Sequence, residues 1–293
     1  MANFNGLIIF MKYVFPPLTF LVGIIGNTLG CVVLMHKDLI NIGPRDTYVY
    51  LFIADTFYLL QIIIVNLQYT YNLDFSILSD LACKLWNYFS YSFAIISCWL
   101  IVYISLDRFI SINKPSWRFA LRNRRNQLIW FLFVIIVALV YYVPVELYYE
   151  IWEMTNNQTT LTSCDFTDNN SLLLVSYMDL GIRVILPFIL MVLFTLGLIY
   201  SLYESRKRIN ENFLAEENHT FHKETKLAVT SICLNVIYMA TQLPVSITIF
   251  AVDLTDMYYQ FSFYVFFLGY AVNFFIILAT NSLFRKQFFK LFK

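Results

Sequence analysis

Seven long apolar stretches separated by short polar joints occupy most of the chain, approximately at 7–35, 47–69, 81–112, 128–149, 172–203, 225–252 and 258–280. Crossing roughly 30 Å of hydrocarbon at about 1.5 Å per residue takes about 20 mainly apolar residues, and a helix does so with every backbone group bonded internally. Each stretch meets that length. The first has no basic lead and no small-residue cleavage site, and it is too long for the apolar core of a signal peptide, so it is read as a helix that stays. A last segment, 282–292, alternates apolar and basic faces at helical spacing, as a helix lying on anionic lipid does. The pattern predicts an all-α membrane protein: a seven-transmembrane helix bundle with a short amphipathic C-terminal helix, one domain over 1–293.

Composition agrees. The chain is 59% apolar and 13% charged, against roughly 45–50% and about 25% for soluble domains, and a globule of this size could not hide that much hydrocarbon. Lys+Arg at 20 nearly cancels Asp+Glu at 19, so no basic field argues for nucleic acid. Locally the charges separate. Arg45, Lys114, Arg122, Arg124, Arg206, Lys207, Arg285 and Lys290 lie at the joints after stretches one, three, five and seven, whereas Asp74, Asp80, Glu146, Glu150, Asp165, Asp168 and Asp253 lie at the others. Because short cytoplasmic loops retain positive charge, the amino terminus is expected outside and the carboxyl end inside. Asn157 and Asn169 begin N-glycan sequons on the outer side. Asn218 also begins one, but on the inner side, where it should stay bare. Of five cysteines, only Cys83 and Cys164 fall on the oxidising side, and a bridge between them would pin the loop after stretch four over the bundle.

Ionisable residues within the stretches are costly and so carry function or a local compensation. Asp55 sits mid-stretch, with Asn27, Ser97 and Asn273 at comparable depth to partner it. Such a group is either a hydrogen-bonded knot or a site for a proton or a monovalent cation such as sodium. Asp107-Arg108 ends stretch three, where the Arg either snorkels to the interface or pairs with Glu224 of stretch six as a latch on a cytoplasmic cleft. Asp179 and Arg183 stand four apart on one helix face, which favours a self-satisfied pair over two ligand contacts.

These residues, in this order, resemble the rhodopsin-like (class A) family of G-protein-coupled receptors. The resemblance is carried by Gly26-Asn27, Leu51-Phe-Ile-Ala-Asp55, Cys83 placed 25 residues before Arg108 in Asp107-Arg-Phe, Trp130, Cys164, Pro187, Pro244 and Phe284-Arg285. It departs from the family at three places. The usual Cys-Trp-x-Pro reads Thr241-Gln242-Leu243-Pro244, so the aromatic switch is a Gln. The usual Asn-Pro-x-x-Tyr reads Asn273-Phe274-Phe275-Ile276-Ile277, losing both the proline kink and the tyrosine. A second activation tyrosine is replaced by Thr195. Such substitutions look like those of invertebrate neuropeptide receptors of the FMRFamide-receptor type.

The resemblance implies a plasma-membrane receptor in which an outside agonist opens a cytoplasmic cleft for a heterotrimeric G protein. Asp107, Arg108, Glu224, Gln242, Pro244 and Asn273 would form the switch, and Pro244 would supply a point of bending. Asn27, Asp55, Ser97 and Asn273 would form a polar core able to hold Na+; no other cofactor or metal is implied. Ser90 stands where amine receptors place an Asp, and the seventh stretch has no Lys for retinal, so amines and light are excluded. An acidic, aromatic outer face suits a short peptide. A lipid or other small organic ligand is the alternative, and Ser90, Tyr91, Asp179, Arg183, Gln242, Ser246 and Phe267 are the candidate contacts. A multi-pass transporter would be expected to show internal repeats, which this chain lacks. An intramembrane hydrolase would need a second deep carboxylate or a nucleophile motif, which it also lacks.

Overall fold

The computed structural model describes residues 9–39, 43–71, 73, 75–156, 159–212, 215–251 and 257–291. Its helices are α1 (Phe15–Met35, led in by a π-turn at Phe10–Val14), α2 (Arg45–Tyr71), α3 (Asp80–Asn113), α4 (Pro115–Arg122), α5 (Arg124–Tyr141) and α6 (Val143–Tyr148). After a two-stranded hairpin come α7 (Asn169–Asp179), a π-turn (Leu180–Ile185), α8 (Leu186–Asn212), α9 (Ala215–Ala251), α10 (Met257–Ala271), α11 (Asn273–Thr280) and α12 (Ser282–Leu291). Six continuous or nearly continuous helical segments are long and apolar enough to cross a bilayer. The bent pair α10–α11 makes the seventh. Counted as spans, α5–α6 form the fourth and α7–α8, with their π-turn, the fifth.

Several boundaries differ from the sequence reading, each for a local reason. The fourth span starts at Arg124, where Asn123 caps it by accepting from the Arg125 N–H at 3.0 Å. It breaks at Tyr142, ahead of Pro144, which cannot continue the ladder. The Tyr88 hydroxyl donates to the Leu139 carbonyl at 2.7 Å just before that break. The span ends at Tyr148, and Tyr149 already belongs to a strand. The polar joint beyond it is an antiparallel hairpin, β1 (Tyr149–Asn156) on β2 (Thr159–Phe166), with Ile151 opposite Cys164. The spans themselves form the expected all-α bundle, and the hairpin is an addition to it in one joint. The run Tyr149-Glu150-Ile151 alternates as a strand does, a signal too short for the count of long apolar stretches to register.

Close approach of the first two spans depends on a missing side chain: a Cβ on Gly30 would lie 2.3 Å from the Phe52 ring. Lipid-facing rows such as Leu18, Leu21 and Ile25 on α1, and Ile53, Phe57 and Leu60 on α2, are exposed and apolar, the pattern of helices solvated by hydrocarbon. The seventh span lacks the family's proline, as its sequence shows. Without the proline, it still bends by 47° at Val272. Beside the bend Asn273 turns inward, and Phe274 packs on Phe284 and Phe288 of α12 at 5.9 and 5.7 Å. The tail helix α12 is amphipathic as expected, burying Phe284 and exposing Arg285, Lys286 and Lys290.

Candidate functional site

The hairpin lies across one end of the bundle, tied to the start of α3 by a Cys83–Cys164 disulfide. Beneath it, the fifth span is locally unwound into a π-turn, and Pro187 follows. A proline at 187 has no N–H to offer the carbonyl four residues back. The carbonyl of Arg183 therefore accepts from the Tyr238 hydroxyl at 3.0 Å and the Cys98 thiol at 3.3 Å, and that of Ile182 accepts from the Trp99 indole N–H at 3.1 Å. The third, fifth and sixth spans are thus joined through backbone that an unbroken helix would keep for itself.

The same turn presents Arg183 to the bundle interior. Its guanidinium donates to Asp179 through Nε at 2.8 Å and Nη2 at 2.5 Å, and through Nη1 to the Gln242 amide oxygen at 2.7 Å. Tyr142 donates to the same carboxylate at 2.8 Å, and the Phe266 ring lies 5.0 Å from the guanidinium carbon. The expected Asp179–Arg183 pair is present, but it is one part of a cluster joining the fourth, fifth, sixth and seventh spans. A buried ion pair offsets its desolvation only when its remaining hydrogen-bonding capacity is used, and Tyr142 and Gln242 use it. Two polar atoms remain open: the Gln242 amide nitrogen and the Tyr270 hydroxyl are buried without a partner. Gln242, at the position of the family's aromatic switch, therefore holds the cluster and stands two residues before Pro244, which interrupts the α9 ladder.

Of the other candidate contacts, Ser90 and Ser246 donate to carbonyls one turn back in their own helices, those of Trp86 and Gln242, both at 2.9 Å. The Tyr91 ring lies 5.5 Å from that of Tyr142. Phe267 is buried between the second and seventh spans, stacked on Tyr58 at 5.3 Å.

Deeper in the bundle, Asp55 is fully buried and accepts from Ser97 at 2.5 Å and Asn273 at 2.7 Å. Asn27 does not reach it; its amide donates to the Tyr270 carbonyl at 3.4 Å, and its own oxygen is buried without a partner. Carboxylate, hydroxyl and orphaned amide oxygens are the donor types that a hard cation takes, so the residues present fit such an ion.

At the far end, Arg108 is 1% exposed and donates to Asp107. It does not snorkel, and this corrects the simpler of the two expectations for it. Arg122 approaches the other oxygen of Asp107 at 3.5 Å and donates to Ser111 at 2.9 Å. Gly43, at φ 41°, lets the chain pass over the arginine; a Cβ there would lie 2.3 Å from its Nη2. The side chain of Glu224, and the sequon residue Asn157, lie outside the described residues. Asn169 is exposed at the first turn of α7.

One network was not read from the sequence. Ser105 donates to Asn235 at 2.8 Å, Ser231 donates to Ser105 at 3.2 Å, and Asn235 donates to Thr195 at 2.9 Å, linking the third, sixth and fifth spans. Its signal was available: Asn235 is an amide in an apolar stretch, the same clue that singled out Asp55.

A seven-helix membrane bundle with a disulfide-pinned hairpin over a buried polar cluster at one end, and a sealed Asp-Arg pair at the other, has the architecture of a transmembrane signalling receptor rather than of an enzyme. The family model of the 7 transmembrane receptor (rhodopsin family) matches residues 26–281, and the chain belongs to that family. It is similar to the galanin-like G-protein coupled receptor npr-9 of Caenorhabditis elegans, with 27% identity over 125 residues, 43% of this chain and 28% of the relative. The match thus spans less than a third of the relative's length.

Proposed function

We propose that the protein is a plasma-membrane receptor for a short extracellular neuropeptide that couples to a heterotrimeric G protein, with the amino terminus outside and the carboxyl end inside. The observation that carries this reading is the Asp179–Arg183–Gln242 cluster, which sits beneath the hairpin and beside Pro244. A ligand that entered under the hairpin and drew on any member would change what holds the fifth and sixth spans together. An agonist acts only through such a difference in affinity between two packings. The acidic groups Glu146, Glu150, Asp165 and Asp168 at the hairpin end favour a cationic peptide, and the galanin-like description of the npr-9 receptor agrees with a peptide agonist.

At the basic end, the G protein would meet the exposed Trp117 and Phe119 of α4 once Arg108 is released, with Glu224 as its latch in the closed form. Asp55 and Ser97, with Asn27, would hold a sodium ion that favours the closed packing. Asn157 and Asn169 would carry glycans. The test is a panel of short amidated peptides applied to cells expressing the chain, with G-protein dissociation as the readout. A peptide that dissociates the G protein in cells with the native receptor, but not in cells with Arg183→Ala expressed at equal surface level, is the expected result. Responses confined to lipids or small organic compounds would overturn the peptide reading.

A further inference from the structure

A groove of about 420 Å³ lies between the second and third spans, away from the cluster described above, lined by Phe57, Gln61, Ile64, Trp86, Phe89 and Phe93 among others. Its walls belong to the lipid-facing surface: Phe57 is 50% and Phe89 42% exposed, which in a membrane span means contact with hydrocarbon. Phe57 stacks on Phe93 at 5.4 Å and Phe89 lies 6.2 Å from Phe93, so rings floor the deep end, which stays open to hydrocarbon along the exposed face of Phe57. Trp86, a residue type that settles at the headgroup boundary, lines the other end together with the buried Ser76 and the exposed Phe75.

Gln61 stands out in this setting. It is 6% exposed, lines the groove, and makes no side-chain hydrogen bond to any described residue. Its amide opens onto the groove, and a primary amide that faces hydrocarbon without a partner costs about 1–3 kcal/mol, which only a lipid that brings a polar atom would relieve. The groove also fixes where that atom must be. Phe57 pairs with Phe93 across the antiparallel spans, so Gln61, one turn on, stands near the level of Phe89, with the groove continuing to both sides over about 16 Å of α3 between Ala82 and Phe93. A ligand whose one polar group is at its tip, such as a sterol, would leave half of the groove empty. One with a carbonyl between a small head and an apolar chain fills both halves. No charge faces the groove from its described lining, and the nearby Lys84 is paired with Asp80 at 2.7 Å, so the head is neutral.

We infer that this groove binds a neutral single-chain acyl lipid, its ester or amide carbonyl accepting from Gln61, its acyl chain lying along Phe57 and Phe93, and its small head beside Trp86. The experiment uses the whole receptor in lipid nanodiscs with a monoacylglycerol that carries a diazirine on its acyl chain, and crosslinked peptides are mapped by mass spectrometry. Label should concentrate on 57–64 and 82–93 and be displaced by unlabelled monoacylglycerol. Gln61→Leu, which keeps the volume and removes the amide, should lower capture about tenfold, the equivalent of one such hydrogen bond. Ile64→Trp, which fills the groove and leaves Gln61 in place, should lower it as well. Label spread evenly over all seven spans, stronger capture of a diazirine sterol at the same segments, or undiminished capture by Gln61→Leu would each overturn the inference.

Discussion

Arg183 shows how much one side chain can hold when its surroundings are dry. Every group it touches is buried: a carboxylate, an amide and a phenyl ring drawn from three spans. Removing one partner of a buried ion pair leaves an uncompensated charge and costs about 3–5 kcal/mol, so Arg183→Leu should unfold at a markedly lower temperature than the native receptor in the same detergent. Asp179→Asn in addition removes the stranded charge and should recover a large part of the loss. Equal melting temperatures for Arg183→Leu and the native protein would show that the cluster contributes nothing. At this scale the sequence was informative where a residue type was improbable. An aspartate, an arginine and a glutamine in apolar stretches name themselves, and the i,i+4 spacing paired two of them. Tyr142 and Phe266 could not be foreseen, because tyrosine and phenylalanine are ordinary in spans of this composition and only packing selects which of them meets the ion pair.

Among elements, the legible ones were those whose signal is length. The seven spans and the amphipathic tail follow from runs of apolar residues. The hairpin does not, since its strands are eight residues each and both faces mix polar with apolar residues, Trp152 and Met154 sharing a face with Glu150. The bend in the seventh span has no sequence signal either, because a missing proline removes one cause of bending and not the others. Where the hairpin returns to the fifth span, Asp168 caps α7 by accepting from the Ser171 N–H at 2.8 Å, a bond that holds its carboxyl below the usual carboxylate range. A depressed folded value means that the cap stabilises the fold above the ordinary carboxylate range and is lost as pH falls through the depressed one. Hydrogen exchange at Ser171 and Leu172, measured down an acid series and corrected for its intrinsic pH dependence, should accelerate once Asp168 is protonated. In Asp168→Asn that acid-dependent step should be missing; if it persists unchanged, the cap is not the group that titrates.

In the whole molecule, three of the buried polar groupings lie in tiers: the Arg183 cluster near the hairpin, Asp55 with Ser97 and Asn273 midway, and the serine-asparagine network with the Asp107–Arg108 pair beyond it. Under the receptor reading, ligand affinity and ion occupancy at separate tiers are linked, and the coupling must be reciprocal. Asp55→Asn keeps an acceptor for Ser97 while removing the charge. It should therefore abolish any effect of sodium on agonist affinity, read as the shift in peptide binding between sodium and a large organic cation. A mutant as sodium-sensitive as the parent would place the ion elsewhere. Phe274 has a broader consequence. Its ring is wedged against Phe284 and Phe288 at the foot of the seventh span, so the lower segment of that span and the tail are mechanically one piece, like a rudder fixed to its tiller. Any straightening of the elbow above would sweep the tail's lysines and arginine across the phospholipid surface, and the membrane's own charge would help to set how readily the receptor changes state.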